Sequence, residues 1–228
     1  MNGTLYIVAT PIGNLEDITL RAIRILKDEV DYIASEDTRT TKILCQKYSI
    51  TTPLISYHAQ STQGKEDAVI RHLENGLSVA LVSDAGTPTI SDPGVKLIQS
   101  VRKVLPDANI VPIPGPSALI TAYSASGISG NEFIFLGFFP HKKGRETLFG
   151  EIAQSKRTIV FYESPHRIMK TLESLVEHCG NDRKIVIARE LTKIYESFIE
   201  GTPQEVLNNF KENEDTIRGE FVVLVQGK

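Results

Sequence analysis

The sequence predicts an α/β protein of two domains, a mainly parallel sheet with helices on both faces followed by a mixed sheet with helices. Three observations lead there. Apolar runs rich in β-branched residues alternate with runs of helical periodicity through the first half; the texture changes after Gly130; and 228 residues with 41% hydrophobic content suffice for two cores.

The alternation begins with TLYIVAT (4–10), a Pro/Gly turn, and then ITLRAIRILKDEV, where Ile18, Ala22, Ile25 and Leu26 recur at helical spacing. DYIAS (31–35), a helix from Thr38 to about Tyr48, PLISY (53–57), a helix over 65–75 closed by Gly76, and LSVALVS (77–83) continue it. DAGTPTISDPG leads into a helix through Val104, and NIVPI leads into the helix start PGPSALITAYSA. Beyond Gly130, EFIFLGFF (132–139), RTIVFYE, RKIVIARE, YESFIEG and GEFVVLVQG read as strands, several joined as hairpins. The stiff P-I-P-G-P turn puts the boundary near Pro112 to Ser117, giving domains 1–114 and 115–228.

Composition narrows the function. Lys and Arg number 25 against 28 Asp and Glu, so the net charge of -3 offers no general attraction to nucleic acid. Cys45 and Cys179 are far apart, which suggests neither a disulfide framework nor a thiolate metal site, and there is no H-E-x-x-H and no P-loop, so no metal is expected. The opening residues lack the pattern of a secretory signal, which points to a cytoplasmic protein. Residues 108–131 carry no formal charge, yet three prolines and three glycines in that stretch rule out a lipid-facing helix.

Ligands of parallel α/β sheets bind at the carboxyl ends of strands, so the loops that follow strands hold the candidates. In A-T-P-I-G-N-L-E-D-I-T (9–19), Gly13 can bring backbone close to a ligand and Asp17 can cap a helix. S-E-D-T-R-T-T (35–41) gathers Glu36, Asp37 and Arg39; alternatively, Asp37 is a helix cap and Arg39 its surface partner. S-D-A-G-T-P-T-I-S-D-P-G (83–94) is long and polar. There Asp84 can accept from an amine or a ribose hydroxyl, Gly86 admits close backbone approach, and Asp92 reads as a helix cap. Ser117 and Ala118 open a helix whose free N–H groups favour ligand oxygens.

His58 follows the third strand and is a candidate acid or base. In the second half, Glu163, His166 and Arg167 of F-Y-E-S-P-H-R, with Arg189, Glu190 and Lys193 of A-R-E-L-T-K, can bind an anionic substrate or move protons, or simply pair with one another. From Lys142 to Lys170 there are seven Lys or Arg against three Glu, a local excess suited to RNA phosphate. Within it, F-F-P-H-K-K-G-R (138–145) sets aromatics beside Lys142, Lys143 and Arg145, which suits base stacking as well.

Taken in order, A-T-P-I-G-N-L-E-D-I-T, S-E-D-T-R, S-Y-H, S-D-A-G-T-P-x-I-S-D-P-G, P-G-P-S-A-L-I-T-A, F-x-G-F-F-P, F-Y-E-S-P-H-R and A-R-E-L-T-K resemble the ribosomal RNA small-subunit methyltransferase I family over nearly the whole chain. The resemblance implies the two-domain tetrapyrrole-methylase (class III methyltransferase) fold, a homodimer, and S-adenosylmethionine held in a cleft between the domains. It also implies methylation of a cytidine ribose 2′-hydroxyl in small-subunit ribosomal RNA. Because sequence-specific recognition usually targets single-stranded or looped RNA, an exposed segment of an assembled or nearly assembled subunit is the expected target. Carried over residue by residue, Ile12, Gly13, Asp84, Ala85, Gly86, Thr87, Pro88, Ser117, Ala118 and Phe161 would line the cofactor site.

Glu36, Asp37, His58 and Glu163 are then the candidate proton acceptors, unranked. Arg39, Lys142, Lys143, Arg145, His166, Arg167, Arg189 and Lys193 are the candidate RNA contacts. One departure bears on substrate: tetrapyrrole methylases usually open with a Gly-x-Gly-Pro-Gly-Asp loop, whereas this chain has Ala9-Thr10-Pro11-Ile12-Gly13-Asn14, which argues against a macrocycle. A tetrapyrrole methyltransferase and a non-catalytic nucleotide-binding module in ribosome assembly are the two rival expectations.

Overall fold

In the computed structural model, which describes residues 2–58, 63–140 and 144–228, the chain divides into two compact units, Met1–Ser117 and Ala118–Lys228. The first unit is built on five parallel strands, β1 (Thr4–Val8), β2 (Tyr32–Ser35), β3 (Leu54–Ser56), β4 (Val79–Val82) and β5 (Asn109–Ile113), in the order β3-β2-β4-β1-β5. Its helices are α1 (Leu20–Arg24), which runs on into a π-helical turn over Ile25–Glu29, α2 (Thr38–Lys47), α3 (Gln63–Glu74) and α4 (Val95–Val104).

Strand alternation sorts the core into two layers. Val8, Ile33, Ala80 and Val82 point to one face and pack with Ala22, Ile25, Leu26, Leu44 and Cys45 from α1, the π turn and α2. Leu5, Ala34, Val79 and Leu81 point to the other, against Val69, Leu73, Leu97 and Val101 of α3 and α4. The connection leaving β1 therefore runs over one face and that leaving the adjacent β4 over the other, which opens a crevice between their carboxyl ends, where open α/β sheets bind ligands. Two expected caps are corrected here. Thr19, whose hydroxyl accepts from Ala22 N–H, caps α1 in place of Asp17, and Gly94 occupies the α4 cap in place of Asp92.

The second unit holds β6 (Phe133–Phe138), β7 (Thr158–Glu163), β8 (Ile185–Arg189), β9 (Ser197–Gly201) and β10 (Phe221–Val225) in the order β6-β7-β10-β8-β9. Only β6 and β7 pair parallel; the other three pairings are antiparallel, as the expected mixed sheet requires. Helices α6 (Arg145–Gln154), α7 (Ile168–Cys179) and α8 (Pro203–Glu212) cover one face through Phe149, Ile152, Leu172, Leu175, Val206 and Phe210, while α5 (Ala118–Ala125) packs on β10. A complete capping box, Thr202 with Glu205, and Pro203 at the first helical position start α8. Among the described residues no helix is long and apolar enough to cross a membrane.

Candidate functional site

The carboxyl ends of β1, β4 and β5 are stitched together by their loops. Thr10 and Gly86 exchange backbone hydrogen bonds, each N–H donating to the other's carbonyl at 2.9 Å. The Thr10 hydroxyl donates to Ser83 O at 2.9 Å, the Ser83 hydroxyl to Gly86 O at 2.9 Å, and the Thr87 hydroxyl to Pro116 O at 3.1 Å. These bonds satisfy backbone that would otherwise be orphaned in a buried loop. Gly86 has φ +82°, and a Cβ there would lie 3.4 Å from Ile12 Cγ2, so this turn needs a residue without a side chain. Thr89 and Ser91 also hold positive φ, at 74° and 63°. Such strain in non-glycine residues persists only where the surroundings impose it, and it clusters at ligand sites.

Three carboxyl groups influence one another through their charge at this rim. Asp84 Oδ1 accepts the backbone N–H of Asp37 at 3.0 Å, joining the loop after β4 to that after β2. Burial and then the Asp84 charge raise the Glu36 carboxyl above its ordinary range, with His58 pulling it back. Asp92 is pushed up to about 6, first by burial and then by Glu36 and Asp84, with Ser83 in partial opposition. A carboxyl titrating near neutrality can take a proton at working pH, and Asp92 therefore joins the candidate acceptors. Its sequence neighbourhood resembled a helix start, and only the fold brings it to Glu36 and Asp84.

Asp37 has the opposite character. It accepts from Arg39 N–H at 2.8 Å as the cap of α2, and its carboxylate takes the Arg39 guanidinium at 2.6 Å. Those bonds hold it down to about 2, which makes it a poor base. The capping alternative is thus the geometry found for Asp37 and Arg39. Ile12 and Pro88 are buried, and Gly13 and Ala85 are exposed. Ser35, at the end of β2, is fully buried, and its hydroxyl has no hydrogen-bond partner among the described residues.

In the second unit the sequence candidates part company. Glu163 is 1% exposed and accepts from the Thr171 hydroxyl at 2.7 Å, from Ser164 N–H at 2.8 Å and from Arg167 at 2.8 Å, with Arg145 at 3.5 Å. Arg145, expected to meet RNA, is instead buried over the rings of Phe139 and Phe149 and donates to Thr171, a correction that follows from its start on the inward side of α6. Arg189 is corrected likewise: it is buried and donates to the carbonyls of Arg218 and Tyr195, bracing the loop rather than facing solvent.

Phe161, expected in the cofactor lining, is fully buried and stacked on Phe139 at 4.1 Å because its place on β7 faces the helices. Lys193 bridges Glu190 and Glu220, both at 2.9 Å, while His166 is exposed and Arg167 half-buried. Lys142 and Lys143 lie outside the described residues. No group of three or more metal-ligating side chains occurs among the described residues.

The family model described as Tetrapyrrole (Corrin/Porphyrin) Methylases matches residues 4–207. A ribosomal RNA small subunit methyltransferase I of Bacillus subtilis is 49% identical over 226 residues, which cover 99% of this chain and 75% of that protein. Among solved structures, a cobalt precorrin-4 methyltransferase of cobalamin biosynthesis matches with TM-score 0.71 at 16% identity, covering 98% of this chain and 94% of the other. A uroporphyrin-III C-methyltransferase of Thermus thermophilus complexed with S-adenosylhomocysteine matches with TM-score 0.65 at 17% identity, covering 98% and 97%. At such identity the two structures speak for the fold.

Proposed function

Because the chain belongs to the ribosomal RNA small subunit methyltransferase I family, within the tetrapyrrole methylases, we propose that it uses S-adenosylmethionine to methylate the 2′-hydroxyl of a cytidine ribose in small-subunit ribosomal RNA. The observation that carries this reading is the 49% identity over 99% of the chain. The loop sequence Ala9-Thr10-Pro11-Ile12-Gly13-Asn14, unlike the Gly-x-Gly-Pro-Gly-Asp type, favours RNA over a macrocycle.

The rim of the first unit suits the cofactor in two respects. Gly86 and its neighbours offer close backbone approach, and Glu36, Asp84 and Asp92 set a negative field where a sulfonium and an amine would be stabilised. Ile12, Gly13 and the Asp84–Pro88 loop would hold it, with Ser117 and Ala118 as further contacts. The group supplies an electrophilic methyl, and the protein supplies orientation and a proton acceptor.

Asp84 fixes the Asp37 backbone and is the acceptor for a ligand amine or hydroxyl. Glu36, His58 and Asp92 are the proposed acceptors of the ribose proton, a contribution of about 10²–10⁴-fold; orienting the reactants is worth more, on the order of 7–11 kcal/mol. Arg39, His166, Arg167, Lys193, Lys142 and Lys143 are the proposed phosphate contacts. We place the enzyme in the cytoplasm, as a homodimer acting on an assembled or nearly assembled subunit, where an exposed RNA segment presents its ribose.

Transfer of a radiolabelled methyl from the cofactor to immature small subunits, followed by mapping of the modified sugar, tests this. Label on a cytidine 2′-oxygen is the expected result. Activity on a precorrin and none on RNA would select the tetrapyrrole alternative, and binding without transfer would select a non-catalytic assembly module.

A further inference from the structure

The segment F-F-P contains two adjacent aromatics with opposite fates. Strand β6 runs in register with β7 up to Phe135 opposite Val160, and the next pair is Phe138 opposite Tyr162. Two residues, Leu136 and Gly137, therefore stand against Phe161 alone, and Gly137 takes φ +63°, as the extra residue of a bulge does. The shift exchanges the faces of everything that follows it. In an unbroken ladder Phe138 would point to the same side as Phe161, into the helices. With the bulge, Phe139 goes inward, 2% exposed and stacked on Phe161, while Phe138 emerges on the opposite face, 57% exposed.

Phe138 is held in place although it is open to solvent. Its ring meets Tyr162 at 5.3 Å and 62°, and Tyr162 is wedged in turn by Phe135 at 4.9 Å and 67°. The backbone beside it is also pinned, since the Arg167 guanidinium donates to Phe139 O at 2.8 Å. The same guanidinium is oriented by the buried Glu163. A large apolar ring that stays exposed while it is held from one side by Tyr162 has the makings of a stacking platform, because a nucleobase brings a π face to it. Lys142 and Lys143 follow within five residues of chain, adding to the positive charge of the segment.

Resting on the RNA reading above and deepening it, we propose that Phe138 is a nucleobase-stacking residue, the platform on which one base of the substrate RNA is seated. The bulge at Gly137 exists, in this view, to turn this one ring outward while its neighbour completes the core. Loss of one base–aromatic stack weakens RNA binding by roughly 10-fold to 100-fold.

The test compares wild type with F138Y, F138L and F138A in steady-state methylation of small subunits, alongside the cofactor dissociation constant and a thermal melt of each protein. F138Y is expected to stay near wild type. F138L and F138A are expected to raise KM for subunits roughly 10-fold to 100-fold, with kcat, cofactor affinity and melting temperature little changed. Leucine keeps apolar area without a π face, so F138L behaving like F138Y overturns stacking. A loss confined to kcat or to cofactor affinity overturns it as well. A fall in oligomer mass for F138A would assign the ring to contact with a second copy and would also overturn the proposal. Absence of methyl transfer by the wild-type protein is a different outcome, since it strikes the RNA reading itself.

Discussion

The backbone N–H of Asp37 donates to the carboxylate of Asp84 at 3.0 Å, so the end of β2 and the end of β4 share one hydrogen bond. The residue that caps α2 is thus positioned by the residue proposed to bind the cofactor. Asp84→Ala removes a charged acceptor from both tasks. Hydrogen bonds to charged groups contribute about 1.5–3 kcal/mol, so cofactor affinity measured by isothermal titration should fall roughly 10-fold to 100-fold. Asp84→Asn keeps an acceptor oxygen and should lose less.

Gly86 gives a second prediction, one of stability. Left-handed backbone costs an L-residue roughly 1–2 kcal/mol, and the new Cβ of Gly86→Ala would touch Ile12 Cγ2 at 3.4 Å. Urea unfolding should show a loss of about that size, together with weakened cofactor binding. An unchanged midpoint would mean that the loop relaxes out of its left-handed turn.

Asp92 gives a prediction about pH. Its folded-state value of about 6 lies above the ordinary carboxyl value, so the unfolded chain releases the proton more readily. The resulting penalty on the fold is absent below about pH 4, grows as pH rises through the window up to about 6, and is complete above it. Asp92→Asn should therefore raise stability by on the order of 1 kcal/mol at pH 8, after allowing for solvent screening of a partly exposed group, and leave it unchanged at pH 4. If Asp92 takes the ribose proton, the wild-type rate should also decline below pH 6, and the variant should lose that limb along with most of its rate.

Glu163 separates a structural role from a chemical one. Glu163→Gln leaves Arg145 and Arg167 without their shared counter-charge, and breaking a buried pair costs about 3–5 kcal/mol. The melting temperature should drop sharply. Its rate per folded molecule at low temperature should stay within about 2-fold of wild type, whereas loss of a general base would lower it by about 10²–10⁴-fold.

How much of this was legible in the chain varies by residue. The strands and helices of the first unit follow from apolar periodicity and turn residues, because a parallel sheet covered on both faces needs continuous hydrophobic runs such as VALV. The loop that holds Asp84 and Gly86 was legible as a candidate because a mere connection rarely needs a polar stretch of that length. Asp92 was not, because an aspartate ahead of a helix has the same local appearance whether it caps or titrates. Arg145, Arg189 and Phe161 were misplaced because charge and aromaticity do not encode the direction in which a side chain leaves its element.

The sequence by itself determined the fold class, the order of the strands along the chain and the family, since each of these is carried by local patterns and spacings. Tertiary structure alone decided which residues meet. Glu36 comes from the loop after β2, and Asp84 and Asp92 from the loop after β4; the raised proton affinities of Glu36 and Asp92 arise from burial and neighbouring charge that exist only once the sheet has formed. The outward turn of Phe138 likewise depends on pairing with β7, because a bulge is defined by the strand opposite it.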